Sequence, residues 1–162
     1  HLSFPLLDQV NSGMSASGFP SDMGQVYIGL LDHSQNTIKR VFEAMADTAG
    51  CVLFHCTAGK DRTGVTAMLL LDLAGADEDL IVEDYAATAL YLNPHLKDQL
   101  AMLKKMGIQD PDAVLGSPKS NMIRTLDHLR KTYGSAEKYL RQIGLSGAKI
   151  EVLKESLRER VE

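Results

Sequence analysis

One segment of the chain, His55–Gly64, lies between two apolar runs of different character. The run before it, Cys51–Phe54, is short and apolar and is typical of a strand. The run after it, Val65–Leu73, is apolar on nearly all sides, as in a helix inside a core. We therefore predict a strand, a loop and a helix in this order, which makes the chain an α/β domain with its loop on a helix N-terminus.

This loop carries the residue types that phosphate chemistry needs. Unpaired N–H groups and the helix dipole favour an anion at a helix N-terminus, and the same field would lower the pKa of Cys56 and make it a nucleophile. Arg62 can hold two phosphate oxygens at once with its planar guanidinium group. Gly59 lets the backbone turn beside the anion, and Gly64 lets the helix pack closely on what lies beneath it. The pattern predicts a phosphate-binding catalytic loop.

Read in full, the loop is His-Cys-Thr-Ala-Gly-Lys-Asp-Arg-Thr-Gly. It resembles the His-Cys-x5-Arg-Ser/Thr signature of cysteine-dependent protein tyrosine phosphatases, and its second half resembles bacterial atypical members that act on phosphotyrosine, other phosphoamino acids and phosphoinositides. The likeness continues at Asp84-Tyr85 and from Tyr133 to Leu145. It implies a protein tyrosine phosphatase-like α/β fold, with a short central sheet surrounded by helices and a helix-rich C-terminal half.

The resemblance covers most of the chain, which we expect to be a single phosphatase domain over residues 1–162. Members of this group usually carry an Asn-Phe-Arg-Asp segment and an Asp-Leu-Arg strand upstream of the loop, and neither is found here. His1–Asp8 looks like the stretch that follows that strand. The domain is therefore expected to lack the usual N-terminal strands of the family.

The resemblance also implies a mechanism by residue. Cys56 would attack phosphorus to give a phosphocysteine that water then hydrolyses, and Arg62 would bind phosphate and stabilise charge in the transition state. Thr63 would hydrogen-bond the sulfur and help it leave, or else bond locally in the first helical turn. His55 would orient the loop in a supporting role, or else be a core histidine. No metal and no cofactor are implied.

The substrate phosphate would be bound by the whole turn of the loop: Thr57, Ala58, Gly59, Lys60, Asp61 and Arg62. Lys60 adds a second cation that would suit phosphoinositides; the alternative is a solvent-facing charge. We assign general acid and base catalysis to Asp61, whose rival role is to hold the loop through a salt bridge. Asp22 and Asp32 are the other candidates for the acid.

The predicted substrates are phosphoproteins, phosphotyrosine first, with phosphoserine, phosphothreonine or phosphoinositide as further classes. Two alternatives remain open. One is a thiol-based sulfurtransferase or arsenate reductase, which shares an anion cradle under a reactive cysteine. The other is a non-catalytic phosphate-binding module.

Composition, net charge and cysteine content limit the size of the core, the class of partner and the cellular compartment. At 162 residues, 44% of them hydrophobic and 23% charged, the chain can bury one core. A net charge of −4 argues against nucleic acid as a partner, and the sequence has no apolar run of the length that stable membrane insertion needs. A reduced thiol predicts a cytoplasmic protein, or a secreted one if an N-terminal signal was removed. Cys51 could capture an oxidised Cys56, or be a small buried apolar residue.

Apolar spacing and helix-capping residues predict the remaining elements. Asn11–Gly24 is predicted to be a loop near the mouth of the site, and Gln25–Ala46 a helical stretch. Glycines at 107, 134 and 144 should end helices. A helix capped by Asp77 is predicted to run to about Leu92 and to stop at Asn93-Pro94. Further helices are predicted over His95–Met106, Pro118–Tyr133, Ser135–Ile143 and Ser146–Glu162.

Overall fold

The computed structural model describes residues 1–4, 22–107, 110–111 and 115–158. Within these ranges the chain is built from α-helices and one π-helical segment that directly continues α5. The helices are α1 (Met23–His33), α2 (Gln35–Ala46), α3 (Asp61–Ala74), α4 (Glu78–Lys105), α5 (Lys119–His128), the π-helical segment (Leu129–Tyr133), α6 (Ala136–Gln142) and α7 (Gly147–Leu157).

Helix α3 lies at the centre of the helical packing, in contact with α1, α4, α6 and α7. Its buried residues include Val65, Met68, Leu69 and Leu73 and occupy several of its faces, because neighbours surround it. The prediction of a buried helix directly after the loop is therefore confirmed. Since α3 is fixed from several sides, its N-terminal turn is a rigid base for the loop.

The strand predicted at Cys51–Phe54 is not observed, and no other segment of the described residues forms one. The structure therefore does not confirm the central sheet. A strand needs a neighbour to pair its N–H and C=O groups, and the described residues supply none beside this segment. Cys51, Val52 and Leu53 are exposed instead, Leu53 to 88%, whereas Phe54 is half-buried and packs against the core.

The helical stretch predicted over Gln25–Ala46 is divided into α1 and α2. Ser34 leaves the helical conformation with φ −107° and ψ 22°, and its N–H donates to the carbonyl oxygen of Leu30 at 3.0 Å. At the other end, Asp22 caps α1 by accepting a hydrogen bond from the N–H of Gln25 at 3.2 Å. The predicted loop was thus two residues too long at Met23 and Gly24, and its residues 11–21 lie outside the described residues.

The predicted stop at Asn93-Pro94 was wrong, because α4 continues as one helix to Lys105. Proline removes one helical hydrogen bond, to the carbonyl group four residues earlier. That residue, Leu90, is 75% exposed, so water can take the place of the missing donor. Asp77 is the N-cap residue of α4, as predicted, and Gly107 follows its end with φ +82°.

The C-terminal helices largely match their predicted bounds. Ser135 and Ser146 cap α6 and α7 through their hydroxyl groups, and Gly134 and Gly144 have positive φ at helix ends. The helix predicted over Pro118–Tyr133 changes to π-helical geometry after His128. Residues 159–162 of the last predicted helix lie outside the described residues. Within the described part of the chain, no helix has both the length and the apolar character needed to cross a membrane.

Candidate active site

The loop is shaped by its glycine and by the start of α3. Residues 57–60 bend the chain, Gly59 has φ +69°, and helical geometry begins at Asp61. A Cβ atom at Gly59 would meet nothing within 4 Å, so the backbone conformation and not space is the reason for glycine there. The resulting turn directs backbone N–H groups toward Cys56.

Cys56 is half-buried and its acidity is strongly changed by its surroundings. Burial raises the pKa of the thiol, but hydrogen bonds from the Thr63 hydroxyl and from the N–H groups of Thr63, Ala58 and Gly59 outweigh it. The net effect lowers the pKa from 9.0 to about 7. A large fraction of Cys56 is therefore thiolate, the nucleophilic form, at neutral pH.

Arg62 faces the same loop, and part of its guanidinium group makes no hydrogen bond to a described residue. One terminal nitrogen, Nη2, donates to the hydroxyl of Thr57 at 3.1 Å. Its Nε is buried and has no hydrogen-bond partner among the described residues. A buried donor without a partner is costly, so this geometry favours an anionic ligand that accepts from Nε.

The hydroxyl oxygen of Thr63 is buried and forms no hydrogen bond of standard geometry in the described part of the chain. Its polar interaction is with the sulfur of Cys56, whose pKa it lowers. The alternative of local bonding in the first turn does not hold for Thr63. Thr66 makes that kind of bond instead, donating to the carbonyl oxygen of Arg62 at 2.9 Å.

Neither His55 nor Lys60 has the alternative role considered above, which was a core histidine for His55 and a solvent-facing charge for Lys60. The Nδ1 of His55 is 3.0 Å from the carbonyl oxygen of Cys56, and the residue is exposed, so it is not a core histidine. Lys60 is buried at 4% exposure and donates to the carbonyl oxygen of Gly116 at 3.0 Å. It is therefore not a solvent-facing charge.

Asp61, the predicted general acid, is held by two groups at one oxygen. The hydroxyl of Tyr27 donates to its Oδ1 at 2.5 Å, and the Nζ of Lys60 lies 3.3 Å from the same atom. Tyr27 in turn shares a hydroxyl contact of 2.8 Å with Tyr85. Both the acid role and the rival role of bracing the loop through Lys60 are compatible with these contacts.

The other candidates for the acid are engaged elsewhere. Asp22 caps α1 and pairs with Arg124 at 2.8 Å; although burial raises its pKa, the hydrogen bonds from Arg124 and Gln25 outweigh this and lower it. Asp32 accepts from Tyr133 at 2.7 Å and lies 2.8 Å from His128. No contact in the described part of the chain brings either aspartate to Cys56.

Two cavities border the loop from different sides. One, of about 650 Å³, is lined by Cys56, Arg62 and Thr63 and also by the exposed Cys51, so Cys51 is not the buried apolar residue considered above. The other, of about 250 Å³, is lined by Asp61 and Lys60. Its remaining wall is mostly apolar and consists of Met23, Ala58, Leu92, Leu96, Gln99 and Leu115.

Sequence reasoning missed several residues of this site. Tyr27 lies 34 positions before Asp61 on another helix, and no local pattern indicates their contact. Tyr85 was noted only as part of the family likeness. Leu92 and Leu96 could have been found only by predicting that α4 continues through Pro94.

Comparison with known proteins agrees with this geometry. Residues 8–159 match the model of the tyrosine phosphatase family. The chain belongs to the tyrosine phosphatase family. Within it, the chain is 42% identical to a tyrosine-protein phosphatase of Nostoc commune over 146 residues, which are 85% of this chain and 50% of that protein. It is 30% identical to a triple specificity protein phosphatase, PtpB, of Mycobacterium tuberculosis over 131 residues, 72% of this chain and 47% of that protein.

These relatives are bacterial, as the resemblance predicted, and the family membership is confirmed. The chain spans about half the length of the curated relatives it matches.

Proposed function

We propose that this protein is a cysteine-dependent phosphatase that hydrolyses phosphate monoesters, with phosphotyrosine in proteins as its first substrate. The observation that carries the proposal is the pairing of two features at the start of α3. Hydrogen bonds outweigh burial and lower the pKa of Cys56 to about 7, and the buried Nε of Arg62 has no partner among the described residues. A nucleophile and an unfilled anion site therefore lie in one loop.

In the first step the thiolate of Cys56 attacks phosphorus, so that an S–P bond forms while the P–O bond to the leaving group breaks. The electron pair of that bond stays on the leaving oxygen, which takes a proton from the carboxyl group of Asp61. In-line displacement puts sulfur and leaving oxygen on opposite sides of phosphorus. The lining of separate cavities by Cys56 and Asp61 is compatible with this requirement.

In the second step water attacks the phosphocysteine. The carboxylate of Asp61 accepts a proton from the water, an O–P bond forms and the S–P bond breaks. Cys56 leaves as a thiolate, which the Thr63 hydroxyl stabilises by hydrogen bonding. Arg62 offsets the charge on the phosphoryl oxygens in both steps.

The preference for phosphotyrosine rests on the smaller cavity. It adjoins Asp61 and presents Leu92, Leu96 and Leu115, an apolar wall suited to a phenolic ring. Phosphoserine, phosphothreonine and phosphoinositide are the further classes, and PtpB of M. tuberculosis carries the description "triple specificity". For a phosphoinositide, Lys60 would have to exchange its contacts with Gly116 and Asp61 for a ring phosphate.

The test is phosphate release from a panel of phosphotyrosine, phosphoserine, phosphothreonine and phosphoinositide substrates. We expect Cys56→Ser to abolish turnover and to retain phosphopeptide binding, because the hydroxyl is a poor nucleophile in an intact cradle. The matched control is Cys51→Ser, which changes the other cysteine and should keep full activity. Acid-quenched wild-type protein should carry phosphate on Cys56.

Two results would contradict the proposal. Sulfur transfer from thiosulfate, or arsenate reduction, without phosphate release would identify a different thiol chemistry. Phosphopeptide binding without any phosphocysteine would identify a non-catalytic binding module.

A further inference from the structure

The carboxyl group of Asp61 is joined to two buried tyrosines from other helices. Tyr27 of α1 is 0% exposed and Tyr85 of α4 is 2% exposed, and their rings meet edge to face with centroids 5.8 Å apart. Their hydroxyl groups are 2.8 Å apart, and that of Tyr27 donates to Oδ1 of Asp61 at 2.5 Å. Three helices thus converge on one carboxyl group at the edge of the loop.

This chain of hydrogen bonds leaves the second carboxyl oxygen available. Oδ1 receives Tyr27 and faces Lys60, whereas no described residue is in hydrogen-bond contact with Oδ2. Asp61 also lines the smaller cavity beside the loop. A carboxyl group that lines a cavity and has one oxygen fixed by donors has a restricted orientation for proton transfer.

Tyr27 itself stays a hydrogen-bond donor throughout the working pH range. Burial, followed by the proximity of Asp61 and Tyr85, raises the pKa of its hydroxyl group far above its ordinary value. Burial likewise raises the pKa of Tyr85. Neither tyrosine is therefore a proton source for the leaving group, and the contribution of Tyr27 is geometric.

We propose that Tyr27, supported by Tyr85, is a positioning residue that orients the carboxyl group of Asp61 toward the leaving oxygen of the substrate. This inference rests on the proposed function and extends it to a residue outside the loop. It also gives Gly64 a role, since a Cβ atom there would lie 3.1 Å from Cδ2 of Tyr85. Glycine at that position lets Tyr85 come close enough to support Tyr27.

The experiment compares leaving groups in Tyr27→Phe, which removes the hydroxyl and keeps the ring. The readout is kcat/KM and the single-turnover release of phenol, both of which report the first step. For a phosphotyrosine peptide, whose leaving group needs a proton, we expect a loss of about 10- to 100-fold. For p-nitrophenyl phosphate, whose leaving group needs little protonation, we expect a loss of less than about threefold.

Tyr139→Phe is the matched control. Tyr139 is also 0% exposed and donates its hydroxyl to a backbone carbonyl, that of Leu31, at 2.8 Å. Its removal should lower the melting temperature about as much as Tyr27→Phe does, while leaving the ratio of the two substrates unchanged. In an Asp61→Asn background, Tyr27→Phe should add no further loss, because the group it orients no longer carries the proton.

Tyr85→Phe is a second variant, which can be measured even if Tyr27→Phe does not fold. It should shift the ratio of the two substrates in the same direction but by less. Equal losses for both leaving groups, in whichever of the two variants folds, would overturn the inference and leave the proposed phosphatase activity intact. If the wild-type protein releases no phenol and forms no phosphocysteine, the proposed function fails and the inference fails with it.

Discussion

Cys56 shows how opposing local influences decide the chemistry of one side chain. Burial alone would keep the thiol protonated, and the hydrogen bonds of Thr63, Ala58 and Gly59 reverse this effect. Since each bond acts on the charged form only, the stabilisation is specific to the thiolate. The reactivity of the site is therefore a property of the turn and not of cysteine itself.

This balance predicts a pH profile for Cys56. The thiolate is the deprotonated form, so alkylation by iodoacetamide should rise with pH, level off above about 7, and fall tenfold per unit below it. Thr63→Ala removes one stabilising donor and should move the midpoint upward, toward 9.0. The measurement is best made in a Cys51→Ser background, with Thr66→Ala as the control. An unchanged midpoint in Thr63→Ala would contradict the role of its hydroxyl.

Arg62 is predicted to be irreplaceable by lysine. Arg62→Lys keeps the charge and loses the planar fork with its buried Nε, so we expect kcat to fall by about 100- to 1,000-fold on any phosphate ester. Arg141→Lys on α6 is the control, because Arg141 pairs with Glu137 at the surface and should change kcat little. A loss of less than tenfold in Arg62→Lys would show that a positive charge at this position supports activity without the planar guanidinium group.

At the scale of elements, the contact of α3 with α4 depends on Gly64. Alanine forms helices better than glycine by about 1 kcal/mol. However, a Cβ atom at position 64 would lie 3.1 Å from Tyr85, and Tyr85 has little room to move because it is buried and contacts Tyr27. We expect Gly64→Ala to lower the free energy of unfolding by about 1–2 kcal/mol. In a denaturation series, the double variant with Tyr85→Ala should lose less than the sum of the two single variants. Strict additivity would argue against the close contact.

A partly buried ion pair fixes α3 to the C-terminal helices. The carboxylate of Asp72, 8% exposed, bonds to Arg130 of the π-helical segment and accepts from the N–H of Ala136 at 2.7 Å. Arg130→Met would leave this charge without its cation, and we expect a loss of about 3 kcal/mol in chemical denaturation. Arg141→Met, which breaks the surface pair with Glu137, should cost less than about 1 kcal/mol. Similar losses in both variants would contradict the structural role of Asp72.

The sequence predicted those elements whose causes are local. Ser135 and Ser146 cap helices through bonds to residues three positions on, and Gly134 ends a helix through its own φ, so both signals can be read from a short window. The continuation of α4 through Pro94 has no such local signal, because proline ordinarily ends or kinks a helix. The loop was found because its motif lies in consecutive residues. The contact of Tyr27 with Asp61 was not found, because the two residues are 34 positions apart in the sequence.

At the scale of the whole molecule, the apolar core around α3 contrasts with the exposed apolar segment before the loop. Leu69 is 0% exposed, whereas Leu53 is 88% exposed although its sequence is that of a strand. Strand propensity describes how a residue fits a pleated surface, and without a neighbouring strand there is no such surface. The described residues place no such neighbour beside Cys51–Phe54, although its composition is that of a strand.

This division predicts opposite sensitivities to mutation. Leu69→Ala should lower the free energy of unfolding by about 2–5 kcal/mol, because it leaves a cavity in the core. Leu53→Ser should change it by less than about 0.5 kcal/mol, as at other exposed positions. Urea denaturation of both variants checks this, and a large loss in Leu53→Ser would mean that the segment is packed in solution.

The unbroken course of α4 links the proposed substrate preference to helix length. Tyr85 and the pair Leu92 and Leu96 lie on the same helix. Tyr85 contacts the Tyr27 hydroxyl that bonds to Asp61, and the two leucines lie in the wall of the smaller cavity. Each residue of a helix turns the chain by about 100°, so deleting one residue between Tyr85 and Leu92 would swing that wall away while the cysteine turn stayed as it is. A one-residue deletion in this helix could thus change which phosphate esters the site prefers, with no substitution in the loop His55–Gly64.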